Sequence, residues 1–227
     1  MNKLSKKTLL CFAASIVFFI LFAAFTATVM LVDVRAIGPL NSSVGLATIN
    51  KSVFDTVGQS TVWYEITEIL GLIPFVVIGV FAILGLIQAI KRKSVLKVDA
   101  AILLLGAFYI LLGIAFVAFE IVEINFRPIL VEGELEASYP STHTMLASGI
   151  MLTAIYVIKE LFAKKKPLVI ALSIACILLA AIIVVGRLLS GVHWFSDIMA
   201  GLLISGALVS LYYAFALYTK DKFKNKV

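Results

Sequence analysis

Six stretches of the 227-residue chain run for twenty or more residues without an aspartate, glutamate, lysine or arginine. Each is long enough to cross a bilayer as a helix, which needs about 20 residues. Lipid offers no hydrogen-bond partner to bare backbone, and the apolar residues run continuously rather than alternating, so helices are favoured over barrel strands. The predicted spans are about 8–32, 69–90, 100–119, 142–160, 167–186 and 198–219.

The composition agrees with a membrane protein. The chain is 62% hydrophobic and only 14% charged, whereas soluble domains are about half apolar and a quarter charged. A soluble domain, a disordered chain, a coiled coil and a disulfide scaffold are excluded by the same arithmetic. The sequence therefore predicts an all-α, polytopic membrane protein in which residues 1–227 form one six-helix domain.

The lysines and arginines are distributed unevenly between the two sides of these spans. Fifteen of the nineteen lie on one side, which the positive-inside rule makes cytoplasmic. Both termini are then predicted to be cytoplasmic, and the basic excess sets topology rather than nucleic-acid binding. The fifteen are Lys3, Lys6, Lys7, Lys91, Arg92, Lys93, Lys97, Lys159, Lys164, Lys165, Lys166, Lys220, Lys222, Lys224 and Lys226.

His193 lies between two charged residues at the edge of the last span. Arg187 precedes it by six residues and Asp197 follows it by four, so that the histidine and the carboxylate share a helix face. The carboxylate can fix the imidazole tautomer and leave the other nitrogen as a nucleophile or base. In the alternative interpretation, Ser196 and Asp197 only cap the last helix and His193 is an interfacial polar residue.

His143 closes the string Pro140-Ser141-Thr142-His143 at the start of the fourth span. A helix N-terminus with free N–H groups can receive an anion, although the same residues are also ordinary capping chemistry. Arg127, followed by Pro128, can offer a planar fork to phosphate oxygens. In the predicted topology these residues, with Arg187, His193 and Asp197, all reach one outer face and can converge.

In this order, Arg127-Pro128, Pro140 to His143, and Arg187 with His193 and Asp197 resemble the three signature motifs of the type 2 phosphatidic acid phosphatase family, relatives of vanadium haloperoxidases. The resemblance implies that His193 attacks phosphorus, forming a phosphohistidine, and that Asp197 orients it. It implies that His143 protonates the leaving oxygen and then activates water. No metal or other cofactor is implied. The residues assigned to substrate binding are Arg127, Arg187, Ser141, Thr142 and Glu120.

Three positions depart from the family pattern. The family has a lysine seven residues before its arginine, where this chain has Glu120, and a carboxylate cannot bind phosphate as a lysine does. Glu120 is expected to pair with Arg127 or Arg187, to recognise a substrate hydroxyl or amine, or to signal altered activity. Thr142 stands where the family commonly has glycine, and Gly186 where it commonly has serine, which removes one hydroxyl donor.

The sequence thus predicts a multi-pass lipid phosphate phosphatase of the cell membrane with its active site on the extracytoplasmic side. Phosphatidic acid, phosphatidylglycerophosphate and polyprenyl pyrophosphates such as undecaprenyl pyrophosphate all fit as substrates, and a lipid phosphotransferase would use the same site. Two other classes compete: an anion carrier or proton-coupled transporter, and a non-catalytic lipid or phosphate sensor. The predicted partners are the lipid bilayer and the lipid phosphate substrate, and no nucleic-acid partner is predicted. The sequence does not indicate an oligomeric state.

Overall fold

A computed structural model describes residues 4–224 of the chain. Within that range, six helices are long and apolar enough to cross a membrane, which confirms the all-α, six-span prediction. The lysines at positions 3 and 226, included in the charge count above, lie outside the described residues. The cytoplasmic location of the termini stays a prediction.

The described residues contain eight α-helices, because a short helix lies between the first two spans and the second span is divided into two helices. Two short 3₁₀ turns, Pro39–Asn41 and Val95–Lys97, and a two-stranded antiparallel ribbon, β1 Arg35–Ala36 and β2 Ser43–Val44, complete the described part. The helices are α1 Lys6–Leu31, α2 Ala47–Val57, α3 Thr61–Gly71, α4 Ile73–Lys91, α5 Ala100–Ile121, α6 Thr142–Leu161, α7 Lys166–Leu189 and α8 Phe195–Lys224.

The second span begins earlier than the sequence suggested. Helix α3 starts at Thr61, where the Ser60 hydroxyl accepts a hydrogen bond from the Trp63 N–H at 3.4 Å, and α4 follows it after Leu72. Together they form a continuous apolar element over residues 61–91. The predicted start at residue 69 followed from ending each span at a charged residue, whereas Glu65 and Glu68 both lie on the helix.

Helices α6 and α8 form the centre of the bundle. Within the most apolar 18-residue stretch of each span, 72% of the residues are buried in α6 and 50% in α8. The corresponding share is 11–22% in the other four spans. The two helices approach closely near the start of α6, since a Cβ on Gly201 would lie 2.8 Å from the Ser141 carbonyl oxygen. Glycine at this position therefore lets α8 bring Asp197 next to the N-terminus of α6.

The two ends of the bundle have different chemistry. At one end the start of α1 meets the last turns of α8, where Asp221 accepts hydrogen bonds from the Ser5 N–H and the Thr8 hydroxyl, and Lys220 pairs with Glu160 at 2.8 Å. The starts of α6 and α8 and the end of α7 lie at the opposite end. The predicted site residues are therefore gathered away from most of the lysines.

Candidate active site

His193 occupies the turn between α7 and α8, where it is buried together with Asp197. Its Nδ1 lies 3.8 Å from the Asp197 Oδ2, which also accepts the Trp194 N–H at 2.9 Å. That separation is longer than a hydrogen bond, and catalytic hydrogen bonds commonly shorten only with substrate. Neither ring nitrogen makes a hydrogen bond of normal geometry among the described residues, although the Ser138 backbone interacts with the ring. In the neutral imidazole one nitrogen carries the proton and the other has the lone pair that can attack.

The surroundings of His193 favour its neutral form. Burial, followed by the positive charges of Arg127 and Arg187, holds the pKa of His193 well below its usual range. A depressed pKa means that the imidazole is protonated only in acid and keeps its lone pair at neutral pH. The contribution of Arg127 also places that guanidinium within electrostatic reach of the histidine.

A buried polar network holds Asp197 from the side opposite the histidine. The Asn125 amide group lies 3.4 Å from the Asp197 Oδ1 and 3.3 Å from the Ser196 hydroxyl, while its oxygen accepts the Gly45 N–H at 3.0 Å. Asn50 on α2 accepts the Ser196 N–H at 3.0 Å and donates to the same hydroxyl at 2.9 Å. Two asparagines, Asn50 on α2 and Asn125 between α5 and α6, thus hold the carboxylate directly or through Ser196.

Replacing Asn125 with alanine is expected to lower kcat by roughly 10- to 100-fold with little change in KM, because a small displacement of a positioned group costs about that much. The change leaves the Gly45 N–H and one Asp197 oxygen without this partner, so the melting temperature should also fall. Steady-state kinetics and thermal unfolding of the purified variant measure both. An unchanged kcat would show that Asn125 does not position Asp197.

Arg187, near the end of α7, is fully buried and already paired. Its Nη1 donates to the Glu68 Oε1 at 2.7 Å, and its guanidinium carbon lies 5.6 Å from the centre of the Tyr64 ring. The same Glu68 oxygen lies 3.7 Å from the Nε2 of His143. Helix α3 therefore places a carboxylate between the arginine and the second histidine.

The absence of a side chain at Gly186 is explained by this packing of α3 on α7. A Cβ on Gly186 would lie 2.5 Å from the Thr67 Cγ2 and 3.0 Å from the Trp63 ring. The serine that the resemblance leads one to expect here would collide with α3 rather than reach the site. The departure at Gly186 therefore goes together with the helix that carries Glu68.

Gly186→Ser is accordingly expected to lower the melting temperature and the activity together, since overpacking a close contact typically costs about 1–3 kcal/mol. Thermal unfolding in detergent and initial rates measure the two effects. Gly79, whose added Cβ would meet nothing within 4 Å, supplies the matched control as Gly79→Ser. Equal stabilities for the two variants would contradict the packing argument.

Arg127 lies in the segment between α5 and α6, and the backbone fixes its place. Its N–H donates to the Glu136 carbonyl at 2.9 Å, and the preceding Phe126 carbonyl accepts the Trp194 indole N–H at 2.7 Å. Its Nε lies 2.9 Å from the Glu136 Oε2. This segment is thereby tied to the start of α8, and it places the positive charge of Arg127 where it lowers the pKa of His193.

The remaining predicted residues divide into two groups. Ser141 is buried as the N-cap of α6, where its hydroxyl accepts the Thr144 N–H at 3.4 Å and its own N–H donates to the Asp197 carbonyl at 3.0 Å. Thr142 is the half-buried first residue of α6. Glu120 is exposed near the end of α5, and the expected pairing with Arg127 or Arg187 is not found. Glu136 and Glu68 make those contacts instead.

The sequence reasoning missed Glu68, Asn50 and Asn125. Glu68 carried a usable signal, because an ionisable residue on a membrane-embedded helix is a functional candidate by default. That signal was lost when the span was started after it. The two asparagines lie in loop and short-helix segments without any spacing that distinguishes them from other polar residues, so only the structure identifies them.

A sequence model of the PAP2 superfamily matches residues 122–221, which contain Arg127, His143, Arg187, His193 and Asp197. This part of the chain is similar to the PAP2 superfamily. The family resemblance drawn from the three motifs is thereby confirmed. The matched range begins at the loop that carries Arg127 and ends within α8, so it leaves out α1 to α5 and with them Glu68.

The fold of this chain is similar to the crystal structure of a transmembrane PAP2-type phosphatidylglycerolphosphate phosphatase from Bacillus subtilis. The TM-score is 0.60 at 18% sequence identity, and the match covers 89% of this chain and 96% of the other. No curated protein sequence matches the chain significantly. The similarity establishes a shared multi-pass membrane fold, and it covers a larger part of the chain than the family model does.

Proposed function

We propose that this protein is a membrane lipid phosphatase of the PAP2 type, which hydrolyses a lipid phosphate through a phosphohistidine at His193. The observation that carries the proposal is the meeting of Arg187, His143, His193 and Asp197 at one end of the bundle. A nucleophile with its carboxylate, a proton donor and a buried guanidinium are the parts that phosphoryl transfer requires. The match of residues 122–221 to the PAP2 superfamily supports the same chemistry.

In the first step, a lone pair of the His193 imidazole attacks phosphorus and the bond from phosphorus to the lipid oxygen breaks. That oxygen takes a proton from His143, so that a neutral alcohol leaves. Arg187 and Arg127 stabilise the charge on the phosphoryl oxygens, with the N–H groups at the start of α6. Asp197 supports the positive charge that develops on the His193 ring.

In the second step, water attacks phosphorus while His143 accepts its proton, and the phosphorus–nitrogen bond breaks to return neutral His193. Inorganic phosphate is the product. If an alcohol replaces water, the same intermediate gives phosphotransfer. The low pKa of His193 suits this role, because the ring must be unprotonated at the start of each cycle.

An apolar cleft beside His143 supports a lipid as the leaving group. The cleft has a volume of about 140 Å³, and His143 is one of the residues that line it. It offers the carbon atoms next to the scissile oxygen an apolar environment, as a lipid tail in the bilayer requires. Its lining residues are Gly71, Pro74, Phe75, Phe116, His143, Leu146 and Ala147.

We further propose that the site faces the extracytoplasmic side of the cell membrane. The site lies at the end of the bundle opposite Lys91, Lys159 and Lys220, and the positive-inside rule assigns that lysine-rich end to the cytoplasm. Labelling of single-cysteine variants at the two ends in intact cells, in a background without Cys11 and Cys176, tests the assignment. Labelling of a site-end cysteine by an impermeant reagent is the expected result.

The test of the function is phosphate release by the purified protein in detergent, with EDTA present. The panel consists of phosphatidic acid, phosphatidylglycerophosphate, a polyprenyl monophosphate and a polyprenyl diphosphate. Turnover of at least one lipid phosphate is expected, and the relative rates name the substrate. A folded protein that binds vanadate but turns over none of the panel would overturn the proposal and favour a sensor or a carrier.

A further inference from the structure

Glu68 stands where the proposed mechanism needs room for phosphate oxygens. One carboxylate oxygen of Glu68 accepts from Arg187 at 2.7 Å and lies 3.7 Å from the Nε2 of His143. Those two groups are the ones assigned to the phosphoryl group and to the leaving oxygen. The side chain of Glu68 is 43% exposed while that of Arg187 is 1% exposed, so the carboxylate reaches the arginine from the open side.

The backbone of Glu68 has little freedom to withdraw. Helix α3 packs against α7 so closely that Gly186 leaves no room for a Cβ beside Thr67 and Trp63. Tyr64, one turn before Glu68, stacks near the Arg187 guanidinium. A bound phosphate can displace the Glu68 side chain from Arg187 by rotation, but the negative charge remains within the site.

Carboxylates offset the positive charge of the site before substrate binds. Each of its arginines contacts a carboxylate, Arg187 that of Glu68 and Arg127 that of Glu136. The position that holds a lysine in the family is Glu120. The site therefore has two guanidinium groups and no lysine at the motif position to balance the charge of the substrate.

The place of Glu68 next to His143 matters most for the leaving group. In a phosphate monoester the group that departs beside His143 is an alcohol, which leaves neutral once it is protonated. In a lipid diphosphate the departing group is a phosphate, which carries negative charge against the Glu68 carboxylate. Like charges at contact distance in a partly buried site repel strongly.

From this geometry we infer that Glu68 is a specificity-determining residue that favours phosphate monoesters over diphosphates. The inference rests on the proposed function and narrows its substrate class to lipid monophosphates. Glu68 selects by charge repulsion against the wrong leaving group, a general way to obtain specificity.

The test compares a polyprenyl monophosphate with the diphosphate of the same polyprenol, using the full-length protein in detergent micelles. Wild-type protein is expected to have the higher kcat/KM for the monophosphate. Glu68→Gln keeps the size of the side chain and removes its charge. It should raise the ratio of diphosphate to monophosphate kcat/KM by about tenfold or more, as the removal of a nearby like charge predicts.

Two further variants make the comparison specific. Glu65→Gln removes the same charge three residues earlier on α3, where the side chain is exposed, and should leave the ratio unchanged. Glu68→Asp keeps the charge and should keep the wild-type preference. A wild-type protein that prefers the diphosphate would overturn the inference whatever the variants do. So would an unchanged ratio in Glu68→Gln, or loss of both activities in a variant that melts like wild type. Absence of turnover with every lipid phosphate of the panel in wild type would instead defeat the proposed function, whereas turnover of the other lipids without either polyprenyl lipid would overturn the inference alone.

Discussion

His193→Gln is expected to lower kcat for lipid phosphate hydrolysis by on the order of 10⁴-fold or more, as loss of a nucleophile does in other covalent enzymes. Glutamine is neutral and of similar size, so it can be accommodated in the buried turn between α7 and α8. It has no lone pair capable of forming a stable bond to phosphorus. Phosphate release at saturating substrate is the measurement.

The control for this variant is binding without turnover. Arg187 and the N-terminus of α6 are intact in His193→Gln, so the variant should still bind inorganic phosphate and unfold near the wild-type temperature. The wild-type rate should also persist into mild acid as far as His193 is concerned, because its pKa is held well below the usual range. A folded His193→Gln variant that retains a tenth of the activity would refute the role of nucleophile.

Arg187→Lys is expected to lower kcat/KM by about 10²- to 10³-fold, the usual cost of removing one positioned donor to transition-state charge. Arginine offers a planar fork of donors and lysine a single ammonium group, so the substitution is not conservative at this position. The fully buried guanidinium also stacks near Tyr64 and pairs with Glu68. Initial rates across substrate concentrations, with thermal unfolding of the same sample, measure the loss.

Arg35 provides the matched control for that substitution. It is an exposed arginine of β1, and it is paired with Asp33 at 2.9 Å. Arg35→Lys should leave kcat/KM within twofold of wild type, since exposed ion pairs contribute little. If Arg187→Lys behaved in the same way, Arg187 would not bind the phosphoryl group.

The order and number of the spans were predictable because uncharged runs of this length have few other folded states in a bilayer. The approach failed where a charge lies on a helix near the membrane edge. The predicted second span began only after Glu68, although Ser60 caps a helix that includes Glu65 and Glu68. A rule that ends spans at every charge therefore hides the charged residues most involved in function.

For the site, the i,i+4 spacing of His193 and Asp197 correctly indicated that the two side chains approach each other, at 3.8 Å. The partners of the arginines were not predictable, since they depend on how distant segments pack. Glu120 was expected near them from its place in a motif, yet Glu68 and Glu136 make the contacts. Asn125 could not be identified either, because its role depends on contacts with Ser196 and Asp197, which are 71 and 72 positions away along the chain.

The most direct test of the proposed mechanism is to trap the phosphorylated protein. His143→Ala, given p-nitrophenyl phosphate, should still form the intermediate, because nitrophenolate leaves without a proton donor, but should hydrolyse it slowly. An alkaline quench followed by peptide mass spectrometry is then expected to find a phosphate group on His193 that is stable to alkali and lost in acid. Phosphorylation of a different residue, or a burst of nitrophenolate with no phosphate on the protein, would contradict the phosphohistidine mechanism.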